Sequence, residues 1–354
     1  AMGVYYVVVV IDHEKQKTSI LQLGDSLQIK SLVDEWRELI EDCLELGGES
    51  DLEMISKDGL HRELEPFEFG GLLSGLLEEN MDRSAYRERF QQVRDYTVDG
   101  DCYQVNLTKQ FSAQVAGDGW LTYRFLRKKS PAPYGAFMNF PFAQVLSNSP
   151  ESFIQCRNRQ VVTSPIKGTQ PRNHQSKELD EANALALSNS AKDRAENVMI
   201  VDLMRNDLSR CCELGSVNVP QLFALHSFAN VHHLISTVTG VLKKELHVLD
   251  LLRHCFPGGS ITGAPKIRAM EIIEELEPTR RGLYCGAIGY LGVDGTLETN
   301  IAIRTIVVKD GVARYSAGGG LVIDSDVESE YQELLDKSRM MTEALFKNKR
   351  PLKY

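Results

Sequence analysis

Apolar positions along this chain recur with two periods, and the switches between them mark out the elements. Residues 4–11 and 18–23 are apolar runs joined by a polar turn at 12–17, which predicts a hairpin. Leu32, Trp36, Leu39, Ile40 and Cys43 fall at helical spacing, so a helix is expected over 31–46, stopped by Gly47-Gly48. Residues 47–81 mix Glu, Gly and Pro without a period and read as a long surface connection. Asp82 or Ser84 can cap a helix running to Asp99, with Gly100 as its stop. Residues 101–115 then read as a strand. Between 134 and 164 short strands follow one another with no room for crossover helices, so they must pair antiparallel. Helices are expected at 177–189, 191–206, 248–254 and 263–277, with a final one over 327–347.

The clearest local pattern lies near the C-terminus. Residues 284–293, 296–309 and 312–317 read as strands separated by Asp294-Gly295 and Asp310-Gly311, the dipeptide that two-residue hairpin turns prefer. In that ideal register Arg304 sits in the middle strand opposite Cys285 and Ala317, and Tyr284 falls on the other face. A bulge or a register shift is needed for Tyr284 and Arg304 to line one site. Antiparallel strands alternating with groups of helices define an α+β fold.

Composition narrows the class of protein. The chain has 354 residues, enough for one large domain or two small ones, and is 42% hydrophobic and 25% charged, ordinary for a soluble globular protein. Its formal net charge is -9 and it has no Lys/Arg-rich run, which argues against a nucleic-acid partner. An anionic ligand must then be met by local cations or a metal, against the average field. The seven cysteines form no CxxC pair and read as reduced thiols, so a cytoplasmic location is expected. The apolar runs are too short to cross a bilayer, and no membrane partner is expected. Ala1-Met2-Gly3 directly before Val4 has the look of a tag remnant, and the chain is expected to lack its natural N-terminus.

Several residue groups have the composition of a reactive site. Asp193 and Glu196 stand three apart in a helical segment, as do Glu330 and Glu333. Residues at i and i+3 share a helix face, so two such pairs facing each other could hold a hard cation through oxygen; equally, both could be solvated faces. Lys167, in Pro165-Ile166-Lys167-Gly168-Thr169, is either a surface charge or, in a dry pocket, a nucleophile. Glu151, in Ser149-Pro150-Glu151, could serve as a general acid if burial raises its pKa. Arg304 suits bidentate capture of a carboxylate, or a salt bridge to Glu298. Residues 258–263 lack both the GxSxG and the Walker spacing, and His232-His233 has no HExxH context.

These groups lie inside longer motifs that occur in one order: GDCYQVNL at 100–107, SPE at 149–151, PIKGT at 165–169, AKDRAENVMIVDLMRND at 191–207, FPGGSITGAPK at 256–266, Ile303-Arg304-Thr305, SAGGG at 316–320 and ESEYQE at 328–333. Together they resemble the chorismate-utilising enzymes, and within them the aminodeoxychorismate synthase large subunits, over residues 82–346. The resemblance implies antiparallel sheets packed as a sandwich with helices outside. It also implies a chorismate-binding catalytic domain over 82–350, preceded by a remnant of the N-terminal region at 1–81. Expected site roles follow residue by residue. Glu196 and Glu333 would bind Mg²⁺ directly, with Asp193 and Glu330 behind through water. Arg304, Tyr284 and the backbone around Gly318, Gly319 and Gly320 would hold the enolpyruvyl carboxylate. Thr262 and Lys337 would face the ring carboxylate, and His233 would stand beside the ring. Lys167 would add to the substrate and Glu151 protonate the departing hydroxyl, with ammonia normally coming from a partner glutaminase. Anthranilate synthases usually carry Ala where this chain has Lys167, and isochorismate and salicylate synthases carry Lys where it has Gln104. An anthranilate synthase large subunit and a silent chorismate-binding subunit are the alternatives.

Overall fold

A computed structural model of the chain describes residues 3–15, 17–24, 26–45, 77–228 and 231–346. The chain divides into two compact units, Ala1–Glu63 and Leu64–Tyr354. In the first, β1 (Val7–Asp12) pairs antiparallel with β2 (Lys17–Gln22), and α1 (Leu27–Glu45) follows. The hairpin is the expected one, and its turn is tied by Lys15, which donates from backbone and side chain to Asp12. The helix starts four residues earlier than its apolar spacing predicts, and Gly47-Gly48 and most of the 47–81 connection lie outside the described residues.

The second unit opens with β3 (Glu78–Glu79), α2 (Arg83–Val98), β4 (Gln104–Gln114) and α3 (Gly119–Lys129). Five strands follow: β5 (Tyr134–Phe140), β6 (Ala143–Ser149), β7 (Ser152–Arg157), β8 (Gln160–Thr163) and β9 (Ile166–Pro171). Then come α4 (Lys177–Asn189), α5 (Ala191–Cys211), β10 (Asn218–Ser227), β11 (Val231–Val241) and α6 (Val248–Cys255). The chain ends in β12 (Gly263–Ala264), α7 (Lys266–Leu276), β13 (Ala287–Leu291), β14 (Leu297–Ile301), β15 (Thr305–Lys309), β16 (Val312–Leu321) and α8 (Val327–Leu345).

These strands form two antiparallel seven-stranded sheets. One runs β12-β4-β16-β15-β6-β5 with β3 beside β4; the other runs β10-β11-β8-β7-β14-β13 with β9 beside β11. Phe90, Leu126, Ile272 and Leu334 bring α2, α3, α7 and α8 onto the first sheet around Phe111 and Leu146. Ile200, Leu208 and Leu251 bring α5 and α6 onto the second around Phe153, Val161 and Val238. Val145, Ile288 and Ala302 join the sheets between these outer layers, so the α+β sandwich with helices outside is the observed architecture. Met81 is 2% exposed in the first core, so the segment just before α2 packs with this unit.

The helix starts follow local chemistry. Asp82 caps α2 by accepting from the Ala85 N–H, and Ser190 caps α5 by accepting from Asp193. Asp118 caps α3, and Arg127, Lys128 and Lys129 in its last turn complement the helix dipole. No sequence expectation covered α3, although its cap and basic end were readable. The hairpin β10–β11 was also unpredicted. Its buried face on β11 is His232, Leu234, Ser236, Val238 and Gly240, so polar and small residues hide the apolar alternation. The helix expected from Gly263 begins at Lys266, because Gly263 and Ala264 pair with Val105 and Gln104 as a strand.

The C-terminal meander departs from its expected form in two ways. Asp310-Gly311 makes the predicted two-residue turn, with both residues at positive φ (54° and 73°) and Lys309 opposite Val312. At Asp294-Gly295 only the glycine is left-handed, because the Asp294 carboxylate instead captures the Thr296 N–H and hydroxyl. The loop there is longer, Leu291 pairs with Leu297, and the register of β13 moves by one residue. The strand expected over 296–309 is two strands in different sheets. Arg304 is therefore not mid-strand: it sits at the crossing, at φ 52°.

A second crossing lies beside it. The chain leaves β6 in the first sheet and enters β7 in the second through Pro150 and Glu151, while β14 and β15 make the reverse passage through 302–304. The two crossings are stitched together. The Ser149 hydroxyl donates to the Ile301 carbonyl (2.6 Å), the Ile301 N–H donates to the Glu151 carbonyl (3.1 Å), and the Asn148 N–H donates to the Arg304 carbonyl (3.1 Å). Ser147 and Thr305 hydroxyls meet at 2.9 Å in the same seam. Removing the buried Ser149 hydroxyl strands the Ile301 carbonyl; Ser149→Ala should cost about 1–3 kcal/mol of stability, read by chemical denaturation with an unchanged m-value.

Candidate active site

The seam opens onto a cleft of about 390 Å³. It brings together Glu151 from the first crossing, Tyr284, Ile303 and Arg304 from around the second, and Lys167, Gly168 and Thr169 from β9. Lys192 and Glu196 enter from α5, His233 from β11, Gly318 and Gly320 from β16, and Glu330, Glu333 and Lys337 from α8. The shifted β13 register and the left-handed backbone at Cys285 (φ 63°) and Arg304 let Tyr284 and Arg304 line the same space. This is the register change that the sequence pattern required.

Lys167 is aimed by a bulge. His233 pairs with Thr169 and Leu234 with Lys167, leaving Gly168 as the extra residue at φ 83°. A Cβ at Gly168 would stand 2.8 Å from Leu187 Cδ1 and 3.0 Å from Asp193 Cγ, so only glycine suits both the backbone and the space. Lys167 Nζ lies 3.8 Å from Glu196 Oε2, with side chains 14% and 15% exposed.

Glu151 is buried, and burial pushes its carboxyl up; a Ser260 hydrogen bond, the Lys167 charge and the Ile166 N–H oppose this without cancelling it. Burial likewise raises Glu196, and the nearby Glu330 and Asp193 charges add to it against Lys167 and Lys192. For Glu333 burial also acts upward, but Lys337, Lys192 and Lys167 together hold it below the usual carboxylate range. Burial pushes the His233 imidazole down, with the Arg304 charge adding, and its Nδ1 shares a 2.9 Å hydrogen bond with Thr169. Burial also lowers Arg304, whose guanidinium donates to the Lys337 carbonyl (2.9 Å), and raises the Tyr284 phenol well above its ordinary value.

Three expected residues stand apart from the cleft lining. Thr262 is buried with its hydroxyl turned to the Gly258 carbonyl (2.9 Å), on the side of a neighbouring cavity. Gly319 lies behind Glu330 and Lys337, where a Cβ would be 3.1 Å from Glu330 Oε2. Asp193 sits beneath Gly168, within reach of Glu196 only as a neighbouring charge. Conversely, Lys192, Ser260 and Asn106 line the cleft without having been singled out. Ser260 belongs to the glycine-rich 258–263 stretch, whose failure as a nucleophile motif masked its proximity to Glu151. Gln104 lies fully buried against Gly320, and its amide has no hydrogen-bond partner.

Among the described residues, no three His, Cys, Asp or Glu side chains converge to grip an ion as they stand. Each carboxylate leans instead on a lysine: Glu196 on Lys167 (3.8 Å), Glu330 on Lys192 (3.7 Å) and Glu333 on Lys337 (2.5 Å). The donor set still fits a hard cation. Three carboxylates from two helices share one cleft, and burial, with the Glu330 and Asp193 charges adding to it, raises Glu196.

Sheets, seam and cleft define a densely charged, partly enclosed site between two antiparallel layers. The chain belongs to the chorismate binding enzyme family, whose pattern matches residues 1–343. It is 45% identical to aminodeoxychorismate synthase component 1 of Escherichia coli K12 over 347 residues, covering 98% of this chain and 70% of that protein. The Klebsiella aerogenes protein of that name is 54% identical over 258 residues, 73% of this chain and 57% of that one. The crystal structure of anthranilate synthase component I from Streptococcus pneumoniae TIGR4 superposes with a TM-score of 0.80 at 34% identity, over 95% of this chain and 72% of that one. The chain is therefore a chorismate-utilising enzyme, and no described helix is long and apolar enough to cross a membrane.

The raised Glu151 carboxyl makes a pH prediction. A folded pKa above the unfolded value of about 4.3 gives stability that is full below that value and lost as pH rises through the folded pKa. Glu151→Gln should melt higher than wild type at pH 8, with the gap closing at pH 4. A lower melting temperature for the variant at pH 8 would contradict the burial argument.

Proposed function

We propose that this enzyme aminates chorismate at C4, giving 4-amino-4-deoxychorismate, the precursor of p-aminobenzoate and so of folate. The observation that carries the reading is that Lys167 and Glu151 share one cleft, close enough for the Lys167 charge to act on the Glu151 carboxyl. Deprotonated Lys167 attacks ring C2 and forms a C–N bond. The ring double bonds shift, the C4–O bond breaks, and Glu151 gives its proton to the departing hydroxyl, which leaves as water. Ammonia then forms a bond to C4, the C2–lysine bond breaks, and a proton from the new C4 ammonium returns to Glu151, restoring the enzyme. The pyruvyl group stays on the ring. One hard displacement thus becomes two easier ones.

The chain's other residues bind and orient. Arg304, with Tyr284 and the backbone at Gly318–Gly320, holds the enolpyruvyl carboxylate; Lys337 faces the ring carboxylate, and neutral His233 stands beside the ring. Glu196, Glu330 and Glu333, with Asp193 behind, would hold Mg²⁺, which supplies Lewis-acid withdrawal of charge from the ring carboxylate. Charge balance supports an added cation. With Glu151 protonated and Lys167 neutral for attack, Lys192, Arg304 and Lys337 face three carboxylates in the cleft, leaving no net positive charge for a substrate dianion. The relatives are named component 1, which supports a glutaminase partner as the ammonia source. Free thiols at Cys102, Cys156, Cys211, Cys212, Cys255 and Cys285 agree with a cytoplasmic setting.

The test is incubation with chorismate, Mg²⁺ and ammonium, with products identified by mass spectrometry. Wild type should yield aminodeoxychorismate, and Lys167→Ala should slow it at least ~100-fold. Anthranilate with pyruvate, or equal rates from both proteins, would overturn the lysine mechanism.

A further inference from the structure

His232 takes no part in the chorismate cleft. Alternation along β11 turns His233 toward the cleft and His232 to the opposite face, where it is 3% exposed. Both its ring nitrogens are engaged. Nε2 lies 3.1 Å from Asp180 Oδ1 of α4, and Nδ1 lies 2.8 Å from the hydroxyl of Ser227, which is exposed at the end of β10. We propose that Ser227, His232 and Asp180 form a second reactive site, a serine nucleophile that takes acyl groups from small uncharged esters. This site is separate from the amination reading and does not depend on it.

The hydrogen bonds assign the roles. Asp180 accepts from the Arg172 guanidinium (2.9 Å and 3.0 Å) and the Asn173 N–H (2.8 Å), which hold its carboxyl well below the usual range and so ionised. An ionised carboxylate only accepts, so His232 donates from Nε2, and in the neutral ring Nδ1 is left with a lone pair. That lone pair faces Ser227, whose O–H donates to it. The nucleophile thus meets the base that takes its proton, and the base is oriented by a third group. Arg172 also donates to the Phe228 carbonyl (3.0 Å), which fixes the strand end that carries Ser227.

The backbone supplies a partner for developing negative charge. Among the described residues β10 is an edge strand, paired with β11 alone. The Phe228 N–H donates to the Val231 carbonyl across the turn (2.8 Å), so in the next pair, Ser227 opposite His232, the backbone groups point away from the partner strand. The Ser227 N–H therefore faces the open edge beside its own hydroxyl, where an oxyanion formed on attack would sit. Leu225, on the same face of β10, is 40% exposed and offers the acyl chain an apolar contact. In the reaction Ser227 Oγ bonds to the ester carbonyl carbon and its proton passes to His232 Nδ1. The ester C–O bond then breaks and the alkoxide leaves with that proton. Water repeats the sequence on the acyl-serine, releasing the acid and restoring the hydroxyl.

The experiment mixes the protein with p-nitrophenyl acetate, follows p-nitrophenol release by stopped flow, and locates the acetyl group by peptide mapping. Thermal melts establish that each variant is folded. Wild type should give a burst stoichiometric with protein and carry the acetyl on Ser227. Ser227→Ala, an exposed change, should abolish the burst while aminating chorismate at the wild-type rate. His232→Gln should slow acylation ~100-fold. Asp180→Asn should slow the burst but keep its size and its site on Ser227, as expected of a positioning residue. Ser227→Ala decides alone if either of the other variants does not fold. Acetyl on lysines only, no burst above the buffer rate, or an unchanged burst in Ser227→Ala would overturn the assignment. So would a joint loss of burst and amination in Ser227→Ala, which would show a disturbed fold. A wild-type protein that gives the burst but does not aminate chorismate would overturn the earlier reading and leave this one standing.

Discussion

Two stretches of chain cross from one sheet to the other side by side, and nearly everything in the cleft depends on their being held together. One crossing carries Glu151 and the other carries Arg304; hydrogen bonds through Ser149, Ile301 and Asn148 lock them in register. A non-glycine residue at φ 52° costs of order 1–3 kcal/mol, and it persists only when its surroundings over-determine it. Here the surroundings are explicit: the Arg304 carbonyl is held by Asn148, and its guanidinium by the Lys337 carbonyl of α8. The strained corner thus ties the sheet seam to the helix that presents Glu330 and Glu333.

The electrostatics follow from what the seam encloses. An acidic chain gathers four cationic side chains and four carboxyl groups in one cleft, and burial then sorts the carboxyls. Glu151, deep beside the crossing, is pushed toward its protonated form, whereas Glu333, surrounded by lysines, is held ionised. Carboxyl groups whose environments push them apart in this way are suited to opposite tasks, one giving up a proton and the other holding a cation.

Much of this was legible in the residues. The i, i+3 carboxylate pairs put Glu196 and Glu333 on helix faces that do meet, and helices such as 177–189 came out at their observed bounds. Position by position, Lys167, Glu151, Arg304, Tyr284, His233 and Lys337 all reach one cleft. What pattern could not supply was non-local. The 296–309 stretch is continuous in its β-propensity, and nothing in it announces that Ile301 and Thr305 belong to different sheets. Asp294-Gly295 and Asp310-Gly311 are the same dipeptide, yet Thr296 competes for one aspartate and leaves the other free to turn tightly. The β11 strand hides its buried face behind His232 and Ser236, which pair with Asp180 and Asn197 respectively rather than excluding water by apolarity.

The central claim is that the cleft holds a lysine that bonds to the substrate ring. It is tested most directly by the intact mass of the protein incubated with chorismate and Mg²⁺ in the absence of ammonia, followed by peptide mapping. The account predicts a fraction of protein heavier by chorismate less one water, with the added mass on the peptide containing Lys167 and lost when ammonium is supplied. An unmodified mass under turnover-competent conditions, or an adduct on any other residue, would contradict it.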